Sequence, residues 1–357
     1  MTFLRSIADR FTPTPSSTAT KARPDGFLTA KGIDALFPRT NPVLDGEDCL
    51  HDCDSCTAHL PRGFKIDEED ALYGHINGWS RHLIVATGKT DWVRDVCDEK
   101  GSVMEAVGKH DDAVTGGKLM LSASNMMLPD HNSGPYGADR PTRVLLMPAF
   151  QFVDGVTPNL VPGLIKSVIN SAPTNTSPLP STTSSSAQKQ QNGNAHPPKP
   201  SRIHPSDLPA GMNLHNCPHK AVILMCSQAT RDARCGQSAP LLRREFERHL
   251  RPLGLYRDAM DERPGGVGIY FISHVGGHKY SANIMVYRRA ERKRDVEGQM
   301  ANGAEDETEA AQCIWLARVR PEDCENIVRY TVLQGKVVKP DRQLRGGFDR
   351  EKGVVSW

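Results

Sequence analysis

A long polar segment near the middle of the chain sets the strongest constraint on how it can fold. Residues 170–210 contain "NSAPTNTSPLPSTTSSSAQKQQNGNAHPPKPSRIHPSDLP", which is rich in Ser, Thr, Pro, Asn and Gln. Such a segment cannot bury enough apolar surface to offset the entropy lost on ordering its backbone. We therefore predict a flexible linker at 170–210. It separates an N-terminal domain, 41–169, from a C-terminal domain, 211–350, which carries a polar insert at 291–310.

Both halves alternate short apolar runs with amphipathic segments. The second half has predicted strands at "KAVILMC", "VGIYFISH", "YSANIMVY" and "CIWLARV", and helices at "APLLRREFERHLRPLG" and "PEDCENIVRYTVLQG". The first half has strands at "RHLIVAT", "KLMLSAS" and "TRVLLMPAF", and helices at "SVMEAVGKH" and "LVPGLIKSVI". This order predicts an α/β fold of thioredoxin type in the C-terminal domain, preceded by a related or degenerate α/β domain.

The start of the chain resembles a targeting signal. Residues 1–40 are predicted to be a tail in which a Ser/Thr-rich stretch follows an apolar and basic segment. This pattern is typical of a mitochondrial presequence, and the alternative is a disordered basic tail on a cytoplasmic protein. The apolar helical face consists of Phe3, Leu4, Ile7 and Phe11, with Arg5 and Arg10 beside it.

Cysteine usage is the chemically most informative part of the composition. The chain of 357 residues has nine cysteines, an odd count, and no secretory hydrophobic segment. Metal, cluster or redox chemistry is therefore favoured over structural disulfides. A net charge of +2 gives no argument for a nucleic-acid partner. No apolar run approaches the ~20 residues that cross a bilayer, so no membrane span is predicted.

Two pairs of metal-ligating residues follow predicted strands of the second half. Eight residues separate Cys226 from Cys235, and three separate His274 from His278, including two glycines that permit a tight turn. We expect both loops to lie at one end of the sheet, so that two thiolates and two imidazoles meet. Each of these residues alone would be more typical of a core or hydrogen-bonded position.

Two sulfur and two nitrogen donors suit either zinc or an iron–sulfur cluster. Structural zinc sites usually bring their cysteines closer together in sequence, so the eight-residue spacing favours a [2Fe–2S] cluster. Two imidazoles replace two thiolates in the same way in Rieske centres. A Cys2His2 zinc-stabilised binding module without redox activity is the alternative interpretation.

These two pairs, and the stretch "GWSRHLIVATGKTDW" in the first half, resemble the sucrase/ferredoxin-like family. The family includes fungal thioredoxin-like ferredoxins named for altered inheritance of mitochondria and for distal actin patches. The resemblance extends from about residue 45 and leaves out the linker and the insert. It implies that Cys226, Cys235, His274 and His278 bind one [2Fe–2S] cluster. It further implies a carrier of electrons or a redox sensor, with an unidentified redox partner, rather than an enzyme with a known substrate.

The end of the chain, "GVVSW" within a predicted tail at 351–357, carries a terminal aromatic residue. Trp357 resembles the tail by which some cytosolic and nuclear iron–sulfur proteins contact the late assembly machinery. The alternative is an incidental hydrophobic end. The terminal tryptophan favours a cytoplasmic location, whereas the start of the chain favours a mitochondrial one. We predict a mitochondrial location, with the cytoplasm as the alternative.

A second group of cysteines precedes the first clear strand. Cys49, Cys53 and Cys56 lie in "DCLHDCDSCTAHLP", where neighbouring aspartates disfavour thiolates. We regard these three as candidate redox thiols, with a metal site as the lesser alternative. A thiol oxidoreductase that uses Cys53 and Cys56 is therefore another candidate function.

Overall fold

The computed structural model describes residues 20–128, 140–180, 207–289 and 309–357, which contain thirteen strands. The strands are β1 Thr20–Ala22, β2 Leu28–Ala30, β3 Arg81–Ala86, β4 Leu119–Ser124, β5 Thr142–Met147, β6 Gln151–Val156, β7 Asn213–Asn216, β8 Ala221–Cys226, β9 Val267–Ile272, β10 Ile284–Arg289, β11 Ala310–Leu316, β12 Leu344–Asp349 and β13 Val354–Val355. The α-helices are α1 Ile33–Leu36, α2 Pro42–Asp45, α3 Val103–Lys109, α4 Val161–Leu164, α5 Ala233–Leu250, α6 Cys324–Asn326 and α7 Pro340–Gln343. Wider π-helical turns, Ile165–Ile169 and Ile327–Val332, continue α4 and α6.

All these strands belong to one mixed sheet, in the order β1-β2-β13-β12-β11-β10-β8-β9-β4-β3-β5-β6-β7. Three neighbouring pairs are parallel: β2 with β13, β3 with β4, and β8 with β9. The other pairs are antiparallel. The sequence prediction of a mixed α/β fold is confirmed.

The sheet contains two copies of one arrangement. In the second half β8 lies between a parallel neighbour, β9, and an antiparallel one, β10, and β11 and β12 follow outward. In the first half β3 lies between parallel β4 and antiparallel β5, and β6 and β7 follow. Each copy thus has the strand order of a thioredoxin-like unit, as the similar order of elements in the two halves suggested.

The two copies meet where β4 lies beside β9, with Ser124 opposite Ile272. The backbone N–H of Ser273 donates to the carbonyl of Ala123 at 2.9 Å, and that of Asn125 donates to the carbonyl of Phe271 at 3.2 Å. The side chains of Ser273 and Asn125 accept in return from the N–H groups of Ala123 and Phe271. This near-symmetric exchange continues the hydrogen bonding of the sheet from one half to the other.

Both faces of the sheet are buried at central strands such as β3, β8 and β9, so these strands are apolar without alternation. In β8, Ile223 and Met225 point to the face that the helices cover, where they join residues such as Leu242 and Phe246 of α5. Val222 and Leu224 point to the other face, which is covered by side chains of loops, among them Phe27, Trp79 and Phe150.

The prediction of a tail at 1–40 is wrong for residues 20–40. Residues 20–40 form β1, β2 and α1, and Leu36 and Phe37 of this segment are fully buried. The cause is a long-range contact, because β2 pairs with β13 near the other end of the chain. Residues 1–19, with the presequence-like face, lie outside the described residues.

The predicted tail at 351–357 is also part of the fold. It contains β13, and the Trp357 ring packs against Trp79 with ring centroids 4.6 Å apart. The Trp357 carbonyl accepts hydrogen bonds from Arg23 and Thr29. The contact of Trp357 with assembly machinery stays a prediction, but this indole is packed rather than free.

The prediction of a flexible linker at 170–210 is wrong for its first residues, 170–180. Asn175 is fully buried, and its amide donates to the carbonyl of Trp79 at 2.9 Å, so residues 170–180 pack on the sheet. Residues 181–206 of the linker and 290–308 of the insert lie outside the described part of the chain. The division into two domains stays a prediction, although strands from both halves share one sheet. Within the described residues, none of the helices has the length and apolar character needed to cross a bilayer.

We predict that His82 makes the stability of the fold pH-dependent. Its ring is fully buried, with its nitrogens 3.1 Å from the Tyr287 hydroxyl and 2.9 Å from the Ser122 hydroxyl, and burial lowers its pKa to about 3. Because the folded pKa lies below the unfolded one, this contribution is present above pH 6.5 and is lost as the pH falls. Between pH 7 and 4 the free energy of unfolding should fall by roughly 3 kcal/mol from this group.

Urea unfolding at several pH values measures this effect. The matched variant His82→Gln should show a flatter pH profile over the same interval, whatever its stability at pH 7. Parallel profiles for the two proteins would contradict the assignment.

Candidate metal centre

The four predicted ligands lie at the ends of two neighbouring strands. β8 and β9 are parallel and paired so that Cys226 lies opposite Ile272. Since parallel strands end at the same edge of a sheet, the loop after Cys226 and the turn that carries His274 and His278 emerge side by side. The sequence prediction that both loops lie at one end of the sheet agrees with this arrangement.

Helix α5 brings the second thiol back to this edge. Asp232 caps the helix by accepting from the N–H of Arg234 at 2.9 Å, which places Cys235 in the first turn. The loop before the helix is tight, because a Cβ at Gly236 would lie 2.6 Å from the Cβ of Ala229. Both Cys226 and Cys235 are buried.

Three of the four predicted donors converge. The ligand atoms of Cys226, Cys235 and His274 all lie within 4.8 Å of one another, and the Cys226 sulfur is 3.8 Å from His274 Nδ1. His278 is adjacent, with its Nδ1 3.4 Å from His274 Nε2, and its side chain is 42% exposed. The site therefore has buried sulfur donors on one side and imidazoles that approach solvent on the other.

Contact between the two thiols shifts their pKa values in opposite directions. A hydrogen bond to Cys235, followed by burial, raises the pKa of Cys226 well above its usual range. The same hydrogen bond lowers the pKa of Cys235 to about 5, and donors on His274 and Ser281 support the thiolate against the effect of burial. A thiolate is the form that binds soft metal cations, so the low pKa of Cys235 suits a metal-binding role.

Side chains around the donors hold them in place. The backbone N–H of His274 donates to Gln228 Oε1 at 2.8 Å, and Gln228 Nε2 donates to the carbonyl of Val93 at 2.6 Å. The hydroxyl of Ser227 donates to the carbonyl of Thr90 at 2.7 Å. The first half of the chain thus supports the loop that carries the second-half ligands.

The histidine turn is fixed by a buried cation. Arg345 donates to the carbonyl of Gly276 at 3.1 Å and to Asn283 Oδ1 at 2.9 Å, and Asn283 donates to the carbonyl of Gly277 at 2.9 Å. The Arg345 guanidinium also stacks over the Trp315 ring at 4.5 Å. Sequence reasoning missed Gln228, Asn283 and Arg345, and the available signal was a charged residue, Arg345, beside two glycines in β12.

A cleft of about 680 Å³ opens beside His274. Trp79, Trp315 and Arg345 line it, together with the exposed residues His75 and Lys118. A cleft of this size can accommodate a small molecule or a side chain of a partner protein.

The remaining cysteines do not join this centre. Cys53 contacts residues near the other end of α5, about 20 Å along the helix from Cys235 at 1.5 Å per residue. Cys49 is buried and Cys56 half-buried in the same N-terminal segment. Cys217, Cys313 and Cys324 are buried, and burial raises the pKa of each. The nine cysteines, all within the described ranges, form no disulfide.

Comparison with known proteins gives a family match and curated relatives. The chain is 24% identical over 329 residues to "Actin patches distal protein 1" of Saccharomyces cerevisiae, covering 88% of this chain and 90% of that protein. It is 32% identical over 121 residues to "Altered inheritance of mitochondria protein 32" of Clavispora lusitaniae, covering 34% of this chain and 33% of that protein. The protein of the same name from Debaryomyces hansenii is 32% identical over 120 residues, 34% of each chain.

No solved structure matches the chain at a significant level. The model of the family described as sucrase/ferredoxin-like matches residues 72–346, a range that includes all four candidate ligands. Since this range is most of the chain, the protein belongs to the sucrase/ferredoxin-like family.

Proposed function

We propose that the protein binds a [2Fe–2S] cluster through Cys226, Cys235, His274 and His278, and that it carries electrons or senses redox state. The observation that carries this proposal is the convergence of two buried thiols and one imidazole within 4.8 Å, with a second imidazole beside the first. The donor types fit such a cluster, and the eight-residue spacing of the cysteines suits it better than a single zinc ion.

Groups around the two cysteine sulfurs would influence the reduction potential of such a cluster. When bound, a [2Fe–2S] cluster accepts and releases one electron. The backbone N–H groups of Gln228 and Val275 act to lower the pKa of Cys226, and the Ser281 hydroxyl lies 3.3 Å from the Cys235 sulfur. These donors stabilise negative charge on the sulfurs and therefore favour the reduced state. Burial of the cysteines also keeps water away from the thiolate side.

The two imidazoles lie on the side of the site that faces solvent and the cleft. His278 is partly exposed and His274 lines the cleft, so this side offers a route for electrons to a partner. We propose that an unidentified redox protein docks over this cleft. Two of the relatives are named for altered inheritance of mitochondria, which supports a mitochondrial location for this chain, with the cytoplasm as the alternative.

A zinc-stabilised module is the second candidate, because the same four donors satisfy a tetrahedral zinc site. The compact spacing of three donor atoms, all within 4.8 Å, also suits a single ion. In that case the site would stabilise the edge of the sheet and would have no redox activity.

We predict that anaerobically purified protein is red-brown, with about two irons and two sulfides per chain. His274→Ala and Cys235→Ser should lose the visible absorption and the iron, because each removes a donor. Absorption and EPR spectra with metal analysis measure this outcome. His75→Ala is the matched control, since this exposed histidine lines the same cleft but is not one of the donors.

Colourless protein with one zinc per chain, lost in the same variants, would instead establish the zinc module. Protein that retains neither metal after anaerobic reconstitution, with iron and sulfide or with zinc, would overturn both candidates.

We predict a pH-dependent reduction potential. Neutral imidazole ligands carry N–H groups that lose protons more readily in the oxidised state, so the potential should fall as the pH rises. The expected slope approaches about 59 mV per pH unit for each proton lost. Voltammetry between pH 6 and 10 measures it. A His278→Cys variant should show a lower potential and a weaker slope, and a flat profile in the unaltered protein would contradict imidazole ligation.

We predict different effects for alanine at the two turn glycines. Gly276 and Gly277 have φ of +90° and +71°, so alanine at either position costs about 1 kcal/mol in backbone strain. A Cβ at Gly277 would also lie 2.7 Å from the Arg345 guanidinium, whereas a Cβ at Gly276 meets nothing within 4 Å.

Gly277→Ala should therefore displace Arg345 and lose iron more readily than Gly276→Ala, which is its matched control. Urea unfolding and iron content after gel filtration compare the two. Equal iron retention in both variants would argue against a role of Arg345 in holding the turn.

A further inference from the structure

A buried carboxylate on α5 binds the N-terminal segment that contains Cys53 and Cys56. The Glu245 side chain is fully buried and accepts from Ala58 N at 3.0 Å and from Thr57 N and Oγ1 at 3.2 and 3.0 Å. It also accepts from Arg248 Nε at 2.7 Å. The loop that carries Cys53 and Cys56 is thus fixed against the C-terminal part of the helix.

Basic and polar groups surround the Cys53 sulfur. It lies 3.3 Å from Arg248 Nη2, 3.8 Å from His249 Nε2 and 3.5 Å from the Ser55 hydroxyl. Arg248 Nη1 also donates to Ser55 at 3.2 Å, which fixes the guanidinium beside the sulfur. A permanent positive charge in contact with a thiol favours its thiolate, the reactive form. Arg248 therefore brings a positive charge to a sulfur that the sequence places among aspartates.

A metal site is the competing interpretation of this cluster. Donor atoms of Cys53, His249 and Glu325 lie within 4.8 Å of one another. However, Arg248 Nη2 is 3.0 Å from His249 Nε2 as well as 3.3 Å from the Cys53 sulfur. A guanidinium in contact with two of the three donors repels a divalent cation, so the cluster is better suited to stabilise an anion.

Cys56 is held as the second thiol of the pair. Its backbone N–H donates to the carbonyl of Cys53 at 3.4 Å, so the four residues form a turn with Cα atoms within about 7 Å, the reach of a disulfide. Its thiol donates to the carbonyl of Ala58 at 3.2 Å. Burial and the charge of Glu245 raise the pKa of Cys56, so that it stays protonated while Cys53 reacts.

We propose that Cys53 and Cys56 form a thiol–disulfide exchange site, separate from the metal centre, which reacts with disulfides of the glutathione class. The Cys53 thiolate attacks one sulfur of the substrate, its S–S bond breaks, and the first thiol leaves with a proton from solvent. Cys56 then loses its proton, attacks the Cys53 sulfur and releases the second thiol. The chain is oxidised by two electrons to a Cys53–Cys56 disulfide, and the substrate is reduced to two thiols.

The experiment uses the full chain with its metal centre intact, incubated anaerobically in mixtures of reduced and oxidised glutathione. Mass spectrometry of the quenched protein should find an intramolecular disulfide in the peptide that contains Cys53 and Cys56. Cys56→Ser should retain one glutathione on Cys53, and Cys53→Ser should form neither product. Cys97→Ser is the matched control and should react as the unaltered chain does.

Alkylation rates test the role of the guanidinium. In Arg248→Gln, the rate at Cys53 at neutral pH should fall about tenfold, because the variant removes the positive charge in contact with the sulfur. Arg251→Gln is the control, because Arg251 pairs with Glu247 on the same helix. Visible absorption recorded alongside should be unchanged in every variant, so this test is independent of the metal centre.

Three results would overturn the proposal. One is the absence of the disulfide at every glutathione ratio in the unaltered chain, which needs no variant to fold. Another is an equal alkylation rate in Arg248→Gln and Arg251→Gln. The third is a metal ion retained in Cys226→Ser and lost in Cys53→Ser, which would establish the competing metal site.

Discussion

Parallel pairing of β8 with β9 is the constraint on which the candidate centre depends. It places the last residue of one strand, Cys226, beside the last residue of the other, Ile272, so the loops that follow start at a common edge. Helix α5 must then return to the sheet, and its first turn carries Cys235 to the same point. The histidine turn completes the group because two glycines with positive φ reverse the chain over a short distance.

The repeated strand order shows what is specific to the second half. Ala86 lies at the end of β3 opposite Ser124, as Cys226 lies opposite Ile272. Met126 follows β4 at the same distance as His274 follows β9. The first copy therefore has the same framework without these donors, and the chemistry depends on side chains rather than on the fold itself.

Sequence reasoning was most successful where a single local pattern determines the outcome. Apolar runs of six or seven residues predicted the central strands, and the spacing of Cys226, Cys235 and His274 predicted their convergence. It was least successful where the outcome depends on distant pairing. The strand at Leu28–Ala30 exists because Val354–Val355 lies beside it, and the role of Arg345 depends on a turn almost seventy residues away. Neither contact leaves a periodic signal in the sequence.

Ser227 and Gln228 donate hydrogen bonds to the carbonyls of Thr90 and Val93, so the first half of the chain supports the candidate site although it contributes none of the four donors. The second half alone would keep all four candidate ligands and lose the carbonyls that hold the loop between Cys226 and Cys235. Separation of the two copies would therefore disturb the candidate site without changing any of its four donors.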